Sequence, residues 1–109
     1  MSIDRPTSLV VPMSWADPFV THQVTNDAME PRFKRGDIVV FDGSVDTFVT
    51  DGIYLLRMGD RDTVCRVQGM LSGFRVFYDN AAFSGFDLSA DDMRRVTIVG
   101  MAHALFTKI

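Results

Sequence analysis

A second cysteine is missing from this chain. Cys65 stands alone among 109 residues, so no internal disulfide can form, and a lone thiol suits a reducing compartment better than an oxidising one. Long apolar runs are missing too: no stretch approaches the roughly 20 residues that cross a bilayer. The first residues carry Asp4, Arg5 and Pro6 where a signal peptide needs continuous apolar sequence. These absences predict a cytoplasmic protein with no membrane anchor. An excess of positive charge is also lacking. With 11 basic and 14 acidic residues the formal charge is −3, so the field that gathers a protein onto nucleic acid is absent, and no direct nucleic-acid contact is expected. His22, His103 and one cysteine give no ligand spacing that zinc needs, so neither metal nor cofactor is expected.

Hydrophobic residues make up 47% and charged residues 23%, a balance that places the chain among globular proteins and outside the disordered regime. Its length fits one folded unit with one modest core. Apolar residues do not recur at helical spacing. Instead, short segments rich in β-branched and aromatic residues are each closed by a Gly or Asp turn signal. Strands are predicted over 19–25, 37–41, 52–57, 62–68, 73–78 and 96–103, the last running on towards Ile109. Gly36 suits a tight bend before Ile38. Met58 to Asp62 and Gly69 to Gly73 read as hairpin loops, so 52–78 reads as a three-stranded antiparallel meander. Ser89 caps at most a short helical turn through Met93. The fold class is therefore mainly β. Pro6, Pro12 and Pro18 mark 1–18 as a loose N-terminal segment ahead of a folded unit at 19–109.

The run from Val24 to Val40 contains Asp27-Ala28-Met29-Glu30-Pro31 and Arg35-Gly36-Asp37-Ile38-Val39-Val40. It resembles the signature of the LexA-like serine peptidases, whose members include LexA, phage repressors of the lambda type and the UmuD mutagenesis protein. Asp51-Gly52-Ile53-Tyr54, Val64-Cys65-Arg66-Val67, Tyr78-Asp79-Asn80 and Ile98-Val99-Gly100 resemble further stretches of the family in the same order. Together these segments cover about residues 20 to 105. The resemblance implies a LexA and signal-peptidase-like fold of short, coiled antiparallel sheets. The motif residues are Asp27, Met29, Pro31, Gly36 and Asp37.

In that family a serine nucleophile precedes the motif methionine and is activated by a lysine, which burial keeps neutral by penalising the ammonium. Carried over by position, the serine falls on Ala28 and the lysine on Cys65. Alanine offers no oxygen to attack a carbonyl, and a thiol is no amine base. The resemblance thus implies vestigial dyad positions and no catalytic residue. The Ala-Gly or Cys-Gly bond that self-cleaving members carry is also absent from the sequence. Natural loss of the dyad is the favoured reading, with a serine peptidase inactivated by substitution at Ala28 as the alternative.

Each remaining feature has a plainer reading. Cys65 paired with His22 or His103 would make an acyl-transfer site, but a cysteine between Val64 and Val67 reads as a small hydrophobe filling core space. Met29 plugs a gap and Pro31 stiffens a turn. Backbone amides near Asp27 and Ala28 can still face the old cleft and hold an uncut peptide; the competing reading is a filled or empty cleft. Arg32, Lys34 and Arg35 read as a solvated turn face rather than a phosphate contact.

The last segment, Val96 to Phe106, is apolar at both parities, so both of its faces need cover. In repressors of the family the late strands help form the dimer, which makes Ile98, Val99, Met101, Leu105 and Phe106 candidates for an interface, with intramolecular burial as the equal alternative. The expected function is an inactive LexA-like oligomerisation and regulatory module of a phage-repressor-like transcription regulator. Its partners are a second copy, a DNA-binding domain in the parent protein and a protein antagonist. The alternative is a stand-alone UmuD-like adaptor. No helix-turn-helix pattern occurs in this chain.

Overall fold

The computed structural model describes residues 18–106. Seven strands form one antiparallel sheet: β1 (Phe19–Gln23), β2 (Ile38–Asp42), β3 (Gly52–Met58), β4 (Arg61–Met70), β5 (Gly73–Phe77), β6 (Phe86–Leu88) and β7 (Thr97–Phe106). One short helix, α1 (Ala90–Met93), lies between β6 and β7. The strand order is β1-β2-β7-β3-β4-β5-β6, so the last strand sits between the second and the third. The mainly β expectation holds, with a single sheet in place of several. The predicted loose segment falls, except for Pro18, outside the described residues.

The meander over β3, β4 and β5 forms as the turn residues predict, with tighter turns than expected. Gly59 (φ 67°) and Asp60 close the first hairpin, and Gly59 occupies the left-handed region that glycine reaches without strain. Gly36 (φ 95°) makes the predicted bend ahead of β2. Ser89 caps α1 reciprocally: its side chain accepts from the Asp92 amide, and the Asp92 carboxylate accepts from the Ser89 amide. β6 was not anticipated. Three residues are too few to show an alternating pattern, and this strand exists through its pairing with β5.

The two faces of the sheet carry separate apolar clusters. Val24, Met29, Phe33, Val39, Phe41, Leu55 and Val64 pack on one face, while Tyr54, Leu56, Cys65, Val67, Val76 and Ile98 pack on the other. Alternation within β3 explains the split, because Leu55 points opposite to Tyr54 and Leu56. β7 contributes to both faces. Its register shifts once against β2 and once against β3, and these bulges leave His103 and Val99 without a directly opposed partner in the respective pairs. Ile98 and Met101 join the second cluster, Val99 and Ala102 the first.

The apolar character of β7 at both parities is thereby explained. Ile98 is buried within the chain, Val99 and Met101 are partly buried against the two clusters, and both edges of β7 are paired. The Leu105 and Phe106 side chains lie outside what the structure describes.

Candidate functional site: a cleft around Ala28

The turn between β1 and β2 is built by backbone bonds that its sequence dictates. Val24 donates to the Asp37 carbonyl and Gly36 to the Val24 carbonyl, each at 2.8 Å. The buried Asp37 carboxylate accepts from the Lys34 amide at 2.8 Å, which satisfies a polar group only 5% exposed. Met29, 1% exposed, anchors the turn in the first cluster. Pro31 follows a cis peptide bond from Glu30. The motif residues Met29, Gly36 and Asp37 thus build the turn, and Ala28 is what the turn presents.

Ala28 lines a cleft of about 220 Å³ together with His22, Val24, Asn26, Arg61, Asp62, Val64 and Tyr78, among others. The cleft borders β4, which pairs with β3 along its whole front half but meets β5 only from Arg66 onward. Among the described residues, the outer edge of β4 from Arg61 to Cys65 therefore has no strand neighbour. Arg57 and Asp62 form a two-bond ion pair (2.7 and 3.0 Å) across the hairpin, and this engages the one carboxylate of the cleft wall. His22 is held below its ordinary value by burial, with Asp62 pulling weakly the other way.

The backbone around Ala28 is already engaged. Its amide donates to Asn26 Oδ1 at 3.0 Å, and its carbonyl accepts from the Asn80 amide at 2.9 Å. Asn80 Nδ2 donates to the Asp27 carbonyl at 2.9 Å. Beside it, Asp79 accepts from Arg66 through Nε and Nη2 and from Arg32 Nε at 3.2 Å. The bond to Arg66 holds the Asp79 carboxyl below its ordinary value, burial opposes the shift, and Arg32 adds to it. Asp79 and Asn80 thus clamp the motif turn onto β4 and the end of β5. Of the backbone amides near Asp27 and Ala28, that of Ala28 is engaged by Asn26.

Cys65 does not line the cleft. It is fully buried in the second cluster, opposite in facing to Val64, which does line it. Burial pushes its thiol up to about 12, so no thiolate nucleophile forms near neutral pH. Of the histidines, His22 lies in the cleft, whereas His103 is exposed and stacks on Phe19 with ring centroids 4.9 Å apart. Neither is brought to Cys65 as a catalytic pair. Among the described residues no group of His, Cys, Asp and Glu is arranged to hold a metal ion.

The basic run on the turn is largely neutralised: Arg32 pairs with Asp79, and Arg35 lies 3.5 Å from Asp27. No described helix is long and apolar enough to cross a membrane.

A family model described as Peptidase S24-like matches residues 4–103. The chain belongs to the Peptidase S24-like family. A search of curated proteins returns no match. Within this family the Ala28 turn is the segment that the LexA-like resemblance aligns with the nucleophile, and the cleft lies beside it. Sequence reasoning quoted Tyr78, Asp79 and Asn80 as matching residues but gave them no role. Their role is tertiary, set by contacts across some fifty positions of chain that spacing alone does not encode.

Proposed function

We propose that this S24-like domain does not cleave peptides and acts by association, as the oligomerisation and regulatory module of a phage-repressor-like transcription regulator. The carrying observation is the cleft itself: its motif position is an alanine whose amide is taken by Asn26, and no lysine lines it. Without a hydroxyl at position 28 and a lysine to activate it, acyl transfer lacks its nucleophile.

Pairing of two copies would raise the effective concentration of any appended DNA-reading heads on a two-fold site. Two exposed apolar side chains favour a surface beside the late strand: Phe19 (38%) and Ile38 (41%) share one face of β1 and β2, and Ile38 is the register partner of Phe106. A second reading, the adaptor that resembles UmuD, is favoured by the unpaired front edge of β4, since an extended partner segment can add to an open strand edge.

The test is twofold. Prolonged incubation at alkaline pH should leave the chain intact by mass spectrometry, and sedimentation should show reversible dimers that Ile38→Glu weakens. Fragments cut within the chain would overturn the non-cleaving reading. A monomer at every concentration would overturn the pairing reading in favour of the adaptor.

A further inference from the structure

A second concavity lies on the sheet face away from Ala28. Phe48, Phe74, Met93, Val96 and Ile98 line a groove of about 440 Å³ between α1, β5, the start of β7 and the loop after β2, and Asp46, Thr47 and Arg94 add polar groups to it. The five apolar residues are buried or half-buried and the three polar ones are exposed, so the groove is apolar within and polar at its rim. We propose that it is a binding site for a small organic cation: an aromatic ring carrying one protonated amine on a short linker.

The walls are fixed before anything enters. The Tyr54 hydroxyl donates to the Thr50 carbonyl at 2.6 Å and accepts from the Val49 and Thr50 amides at 3.3 Å each, which pins the loop that carries Phe48. The reciprocal cap between Ser89 and Asp92 holds α1, which carries Met93. Phe74 and Ile98 belong to the sheet itself. A site formed in advance asks little ordering of its ligand. The volume falls within the range of small-molecule sites, about 300–1,000 Å³, and a mostly apolar lining with a few polar groups is the usual character of such sites.

The rim sets the sign of the charge. Arg94 is paired with Asp91, with Nη1 2.9 Å from the carboxylate, whereas Asp46 enters no ion pair among the described residues. Two carboxylates against one guanidinium leave the rim negative. Phe48 and Phe74 meet edge to face with ring centroids 5.1 Å apart, and the faces of such rings also attract a cation. The chain as a whole is negative at −3, so the long-range field agrees. The Ala28 cleft lacks this combination, since its one carboxylate, Asp62, is taken by Arg57.

The probe is phenethylamine, titrated into the full chain and followed by nitrogen–proton NMR. Saturable amide shifts are expected at Phe48, Phe74, Val96 and Ile98. Phenylacetate, which has the same ring and the opposite charge, should bind about three- to fivefold more weakly, the size of an exposed ion pair. Asp46→Asn should bring the two affinities together. Ala90 is an exposed residue of the groove, so Ala90→Trp fills the space from the surface and should abolish binding of both compounds. The spectrum of each unbound variant establishes that it is folded.

The absence of saturable shifts in the unmodified chain, shifts confined to the Ala28 cleft, or equal affinity for amine and acid would overturn the proposal. So would a preference for the amine that survives Asp46→Asn, which would take the charge recognition away from this rim.

Discussion

Asp79 illustrates how one side chain can hold a site that it does not enter. Two arginines from different parts of the chain converge on its carboxylate, and they do not contribute equally. Arg66 is 28% exposed at its side chain and makes two bonds, whereas Arg32 is 53% exposed and makes one. Asp79→Asn should lower unfolding stability by about 2 kcal/mol, the range for hydrogen bonds to charged groups. Arg32→Gln should cost under about 1 kcal/mol, as exposed ion pairs do. Urea denaturation of the two variants checks the order; equal losses would mean that Arg32, and not Arg66, carries the interaction. Much of this scale was visible in the sequence. Met29, Gly36 and Asp37 were identified as motif residues, and Cys65 between two valines read as core. What could not be seen was which donors they leave free: that Asn26 occupies the Ala28 amide depends on a turn geometry, and that Asn80 reaches Asp27 depends on the whole sheet.

At the scale of elements, β7 is the informative strand. Its glycine is placed where the backbones of neighbouring strands crowd together: a Cβ on Gly100 would sit 2.8 Å from the Asp42 carbonyl oxygen and 2.9 Å from the Phe41 Cβ. Both obstacles are main chain or nearly so, and neither can swing aside. Gly100→Ala should therefore destabilise the domain by about 1–3 kcal/mol through overpacking, seen as a lower melting temperature. A neutral result would show that β2 and β7 can separate without loss. Six of the seven strands were legible from β-branched and aromatic runs between glycine turns. β6 was not, being three residues long, and the two bulges in β7 were not, because a register shift is a property of a pair of strands. The apolar runs at both parities did signal a strand covered on both faces. They could not say that Ile98 is buried within the chain while Val99 and Met101 stay partly exposed.

For the whole molecule, His22 and Asp79 respond to acid in the same sense. Burial depresses His22 below 6.5, and the bonds to Arg66 and Arg32 depress Asp79 below 3.8. A group with a depressed folded value adds stability that is complete above its unfolded value and is lost as pH falls through the folded one. The domain should therefore be most stable near neutral pH, weaken gradually below about 6.5 as the unfolded chain takes up the His22 proton, and weaken again below 3.8 as Asp79 protonates. Melting temperatures measured from pH 8 to pH 3 test this, and His22→Gln should remove the first decline while leaving the second. A melting temperature that rises on acidification would contradict both assignments.

The position of β7 in the sheet has a consequence for how the protein comes into being. The hairpin of β1 and β2 joins the β3 to β6 meander within the sheet only through β7, the last of the described strands. On the ribosome the meander can close early, since its contacts are local, but the first hairpin must wait for a segment some sixty residues downstream before its inner edge is paired. Such non-local closure is slow, and an open edge in the interval is an opportunity for aggregation. Nascent chains stalled before Thr97 should be far more sensitive to protease in the first hairpin than in the meander, and the final ten residues of the described chain act as the latch of the domain.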